Sequence, residues 1–116
     1  MKITSVDQVP LEPVTMPGAV GCSYRVAVSA KDGAPTFAMR FFEVVPGGHT
    51  PLHQHPYEHE IYVIEGAGTV WRDGQETAIR PGDVLFIPAD ERHQFKNTGN
   101  SAFKFMCLIP AQFQKC

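Results

Sequence analysis

The chain has 116 residues, 43% of them hydrophobic and 19% charged, which is ample for one packed domain of the usual ~100–150 residues and argues against disorder. Ten basic against twelve acidic residues leave a net charge of −2, and no Lys/Arg patch or arm is present to suit a nucleic-acid partner. No window approaches the ~18 apolar residues of a membrane span, and the start, Met1-Lys2-Ile3-Thr4-Ser5-Val6-Asp7, lacks the apolar core of a signal peptide, so a cytoplasmic location away from membranes is expected.

Ten Gly and ten Pro punctuate the chain often, which suits many short strands joined by turns and predicts an all-β fold. Residues 1–22, with Pro10, Pro13, Pro17, Gly18 and Gly21, show little periodicity and read as an N-terminal arm, either a loose lead-in or an edge strand lent to a partner subunit. Residues 23–116 form the single predicted domain. Strands are expected at 23–30 and 36–45, on either side of Lys31-Asp32-Gly33-Ala34-Pro35, and Pro46-Gly47-Gly48 closes the second. Further strands follow at 60–65, 69–72 and 76–79, then at 84–87, 94–96 and 102–109. The turns between them include Asp73-Gly74, Arg80-Pro81-Gly82-Asp83 and Pro88-Ala89-Asp90. Eight to ten short strands at this spacing indicate a sandwich or barrel. Cys22, Cys107 and Cys116 are odd in number, far apart and without a CxxC pair, so they read as free thiols.

Four of the five histidines, His49, His53, His55 and His59, fall within eleven positions, and His93 stands alone. Residues two apart in a strand share a face, so His53 and His55 can present ring nitrogens to one point. His59 shares the parity of the apolar Ile61 and Val63 and is expected to point inward, leaving Glu60 and Tyr62 outside; His93 shares the parity of Phe95 and faces the same cavity. Three or four neutral imidazoles converging in this way suit a divalent ion such as zinc, copper, iron or nickel. His49, beside Gly47-Gly48 and Thr50-Pro51, reads as an exposed turn residue and is left out of the set.

The spacing Gly47-x5-His53-Gln54-His55-x3-His59-x6-Gly66, followed by Gly82-x5-Pro88-Ala89-Asp90-x2-His93-x3-Asn97, resembles the two motifs of the cupin superfamily. That resemblance implies a double-stranded β-helix, a jelly-roll barrel. His59 stands where the family usually places a ligand glutamate, and Asp90 where its second motif has glycine. Glu60 fits a looser spacing of the first motif, but strand parity turns it outward. With His55-Pro56-Tyr57-Glu58-His59-Glu60-Ile61 and the late Cys107-Leu108-Ile109-Pro110, the chain is similar to very small single-domain cupins that bind manganese through four histidines. The resemblance therefore implies one divalent transition metal on His53, His55, His59 and His93, manganese first, with iron, nickel, copper or zinc as alternatives. It also implies a homodimer paired through one sheet.

In the last strand Lys104 must point out, so Phe103, Phe105, Cys107 and Ile109 face inward. Cys107 is then either a small buried hydrophobe or a redox-sensitive neighbour of the metal. Phe37, Met39 and Phe41 alternate with Ala38, Arg40 and Phe42, and either set can face in. Arg40 either reaches into the barrel to clamp an anionic substrate group or pairs outside with Glu43 or Glu58. Tyr57 and Phe95 are further wall candidates, and Trp71 reads as core or dimer interface. The expected function is a metal-dependent oxygenase of the dioxygenase type acting on a small organic molecule. The alternatives are a metal-dependent isomerase and a non-catalytic module that binds or senses a metal and a small ligand.

Overall fold

Turn residues and two-residue alternation set the architecture. The computed structural model describes residues 1–114; the free thiol expected at Cys116 lies outside the described residues. Nine strands run in order: β1 (Glu12–Pro13), β2 (Val20–Val28), β3 (Phe37–His49), β4 (His59–Glu65), β5 (Gly68–Arg72), β6 (Gln75–Ile79), β7 (Val84–Ile87), β8 (Gln94–Asn97) and β9 (Phe103–Pro110). All pairings are antiparallel, in the order β6-β5-β8-β3-β9-β4-β7, with β2 on the free side of β3 and β1 on β2. The sheet curls into a jelly-roll barrel, as expected of the all-β reading. Among the described residues no helix is long and apolar enough to cross a membrane.

Two strands depart from their expected bounds by more than one residue. β3 does not stop at Pro46 but continues through Gly47 and Gly48 to His49, which pairs with Val20 on one side and Lys96 on the other. His49 is therefore a strand residue, not a turn residue. Gly48 permits this because a Cβ there would lie 2.6 Å from the Val20 carbonyl oxygen. β2 starts earlier than expected, at Val20, and ends at Val28, where Ser29 caps a 3-10 turn over Ala30–Asp32 through a reciprocal hydrogen-bond pair with Asp32.

The core follows alternation. Phe103, Phe105, Cys107 and Ile109 of β9 are buried, as are Ile61 and Val63 of β4 and Val44 of β3. Burial of each such large side chain contributes about 1.5–3 kcal/mol. Lys104 lies on the other face of β9, near Glu65. In β3 the inward set is Ala38, Arg40, Phe42 and Val44, while Phe37 is 65% exposed. The arm explains why Met39 and Phe41 tolerate the outer face: Val9 is buried, and Ile3 and Val6 border with them a cavity of about 590 Å³. The arm thus lies against its own barrel, held by an Arg25 hydrogen bond to the Val9 carbonyl and by the Lys2–Asp32 ion pair at 2.9 Å.

Candidate metal centre

The segment between β3 and β4 carries two of the histidines. It is a loop rather than the strand expected, tied down by backbone bonds: His53 N donates to His93 O at 3.1 Å and His93 N returns one to His53 O at 2.9 Å. Thr50 anchors its start, donating from N to Phe95 O and accepting the Phe95 N–H at its hydroxyl, both at 2.9 Å. Asp90 N donates to His55 O at 2.8 Å. Asp90 adopts a left-handed φ of 66°, the conformation that the glycine usual at this motif position adopts without strain. Gly66, which ends the first motif, has φ 86°, and a Cβ there would meet the Ala102 carbonyl oxygen at 2.4 Å.

These ties bring the four rings together. One ligand atom each of His53, His55 and His93 lie within 4.8 Å of one another, and the His55 and His93 ring centroids are each about 5 Å from that of His53. His59, at the start of β4 and 7% exposed, places its Nε2 against Nε2 of His55 and its ring 5.1 Å from His93. Glu60 is exposed on the other face. His49 bonds instead to its own neighbourhood, with Gln94 Nε2 3.3 Å from its Nδ1.

The donor chemistry fits a cation. Nδ1–H of His55 donates to Tyr57 O at 2.9 Å and Nδ1–H of His93 to Glu91 O at 2.8 Å, while Nδ1 of His59 lies in hydrogen-bond contact with Cys107 Sγ at 2.9 Å. A ring whose proton is committed at Nδ1 keeps its lone pair at Nε2, the arrangement that orients imidazole ligands around a metal. Burial is the first cause that lowers the affinity of all four rings for a second proton; His53 falls to about 4 and His59 to about 2, with Arg40 and the neighbouring histidines adding repulsion. The rings are neutral at pH 7.

The cluster opens on a cavity of about 710 Å³. Tyr57, Phe95, Phe105, Cys107 and Arg40 all line it, as does every one of the four histidines. One wall is a continuous aromatic array in which Phe42 stacks on Phe105 at 5.0 Å and Phe105 meets Phe95 at 4.9 Å. A second column runs from His55 through Tyr57 to Phe113, with ring separations of 3.9 and 4.3 Å. Among the described residues no Asp or Glu lines the cavity. Val14, Met16, Tyr24 and Phe113 also line the cavity and were not singled out from the sequence. Only Tyr24 carried a signal, its shared parity with the buried Cys22.

Arg40 turns inward, not outward to Glu43 or Glu58; Glu43 pairs with Arg25 instead. It is 9% exposed, its Nη2 donates to Cys107 Sγ at 3.0 Å, and its guanidinium carbon lies 4.9 Å from the Phe42 ring centroid. Stacking of this kind contributes about 0.5–2 kcal/mol, short of the several kcal/mol that desolvating a cation costs. Cys107, 1% exposed, is held as the neutral thiol by burial, against the pull of Arg40.

Residues 40–109 match the family described as the cupin domain. The structure of the polyketide cyclase RemF from Streptomyces resistomycificus aligns with a TM-score of 0.91 at 36% identity, covering 96% of this chain and 80% of that one. The oxalate-binding protein of Thermotoga maritima is 38% identical over 55% of this chain and 54% of its own length. Quercetin 2,3-dioxygenase of Bacillus subtilis is 30% identical over 78% of this chain, which is 27% of that protein. The chain spans about half the length of the first curated relatives it matches. From within β3 to the end of β9 the sequence carries the family's pattern on the family's barrel, and the chain belongs to the cupins.

Proposed function

We propose that this cupin is a metal-dependent enzyme that binds a planar, oxygen-rich carbonyl compound of the polyketide or polyphenol kind. One divalent ion is held by His53, His55, His59 and His93. Manganese is the first candidate, on the resemblance to four-histidine cupins; iron, nickel, copper and zinc suit the same donors. The observation that carries the reading is the commitment of the His55 and His93 Nδ1 protons to backbone carbonyls, which frees their Nε2 donors at the wall of an aromatic cavity where His53 and His59 join them. Such an ion, when bound, supplies Lewis acidity that polarises a carbonyl and favours its enolised form.

The chain's own residues do the rest. Neutral imidazoles cancel none of the ion's charge, so the site favours anionic oxygen donors. The Phe42–Phe105–Phe95 array and the Tyr57–Phe113 stack receive a flat ligand and exclude water from it. Ring closure between an enolised carbon and a second carbonyl of one chain needs these two provisions, and the likeness to RemF along nearly the whole chain supports that reaction class.

A second reading, dioxygenation of an enolised or phenolic ring, is supported by the likeness to quercetin 2,3-dioxygenase, which covers a quarter of that protein. The test is to load the purified protein with manganese, zinc or iron and supply aryl β-polyketones and flavonols while recording products and dissolved oxygen. Ring-closed product without oxygen uptake supports the first reading, and oxygen uptake with ring cleavage supports the second. Tight binding without turnover supports a binding or sensing module in their place.

A further inference from the structure

We propose that Arg40 is an anion-recognition residue of the cavity, so that the ligand carries an ionised group, such as a carboxylate, in addition to the oxygens that meet the histidines. The inference rests on the metal-site reading above and extends it to the class of ligand.

The placement of Arg40 is built rather than incidental. It sits on the inward face of β3, paired in register with Cys107 of β9. Nη2 is pinned to Sγ at 3.0 Å and the guanidinium plane lies over Phe42. These contacts hold the guanidinium in place without neutralising it. Among the described residues no carboxylate pairs with it, and its Nε has no hydrogen-bond partner. Among the described residues no acidic side chain lines the cavity walls. A guanidinium is a rigid fork shaped for bidentate binding of a carboxylate. If Arg40 only filled space, Met or Leu would occupy the same volume without burying a charge. The ligand is therefore the partner that balances the charge of Arg40.

The path from Arg40 Nη2 to His59 Nδ1 passes through one sulfur atom, with separations of 3.0 and 2.9 Å. One ligand of ordinary size thus spans the histidines and Arg40. A catechol with an acid group on the ring opposite its two hydroxyls offers both kinds of oxygen to the cavity that Arg40 and the histidines share.

The experiment titrates metal-loaded protein with 3,4-dihydroxybenzoate and with 3,4-dihydroxybenzamide, which share the chelating hydroxyls and an electron-withdrawing substituent and differ in charge. Wild type is expected to bind the benzoate at least tenfold more tightly. In Arg40→Met the two affinities converge, and Arg40→Lys keeps a preference. Equal affinities in the wild type, or an undiminished preference in Arg40→Met, overturn the inference while leaving the metal reading intact. Failure of both probes to bind loaded protein, or binding that survives removal of the metal by a chelator, overturns the metal reading and the inference with it. Should Arg40→Met not fold, Arg40→Gln removes the charge with a polar side chain and reads the same comparison.

Discussion

Nδ1 of His59 lies 2.9 Å from Sγ of Cys107, and the same sulfur accepts a hydrogen bond from Arg40 at 3.0 Å. Leu108 O lies 3.9 Å from the same sulfur. Cys107 thereby fixes the orientation of the His59 ring. Removing such an outer partner typically lowers metal affinity 10–100-fold. Cys107→Ala is expected to weaken metal binding by about that factor, measured by competition against a chromophoric chelator, while Cys107→Ser retains most of it. Equal affinities for Ala and wild type would contradict this role.

Acid should destabilise the metal-free protein. His53 holds its second proton only below about 4, against a usual value of 6.5. The unfolded chain therefore takes up protons first as the pH drops, and stability is complete above pH ~6.5 and lost toward pH 4. Glu60 opposes this trend. A hydrogen bond with Glu58, then partial burial and the charge of Glu58, raise its carboxyl to about 7 from 4.5. Its contribution is present below pH 4.5 and lost as the pH rises through 7. In Glu60→Gln the melting temperature is thus expected to fall more steeply between pH 7 and 5 than in wild type. A profile in the variant that is flat over that range would count against the burial of neutral histidines.

Asp90 occupies a left-handed backbone position that costs a side-chain-bearing residue about 1 kcal/mol relative to glycine. Asp90→Gly is expected to stabilise the fold by about 0.5 kcal/mol, after the entropy that glycine adds to the unfolded chain, and Asp90→Val to destabilise it by about 1–2 kcal/mol. Urea denaturation measures both. Greater stability of the Val variant would refute the assignment of strain.

Gly66 sets the opposite case. Its left-handed φ and the 2.4 Å approach that a Cβ would make to the Ala102 carbonyl leave no room for a side chain. Gly66→Ala should cost about 2 kcal/mol or more, seen as a lower urea midpoint. An unchanged midpoint would mean that β4 and β9 can separate there freely.

Alternation made half of the site legible. With Lys104 required outside, Phe105 and Cys107 had to face in, and the parity of Ile61 and Val63 carried His59 in and Glu60 out. The same rule was silent in β3, where both faces are apolar. What decides there is the N-terminal arm, which packs Val9 near Met39 and Phe41 and leaves the inner face to Arg40. No local pattern announces that choice, because the arm and the strand are about thirty residues apart. Val14, Met16 and Phe113 reach the cavity by similarly long-range packing. The motif spacing showed that Asp90 departs from the family's usual glycine, but its positive φ needed the backbone itself.

The most direct measurement is the metal content per chain of protein purified from its native host, set beside the single variants His53→Ala, His55→Ala, His59→Ala and His93→Ala, each first shown to be folded by circular dichroism. The account predicts close to one equivalent of a divalent transition metal in the wild type and its loss in all four variants, with His49→Ala unchanged. Wild-type protein without a bound transition metal, or a His59→Ala variant that keeps a full equivalent with unaltered coordination by X-ray absorption, would contradict it.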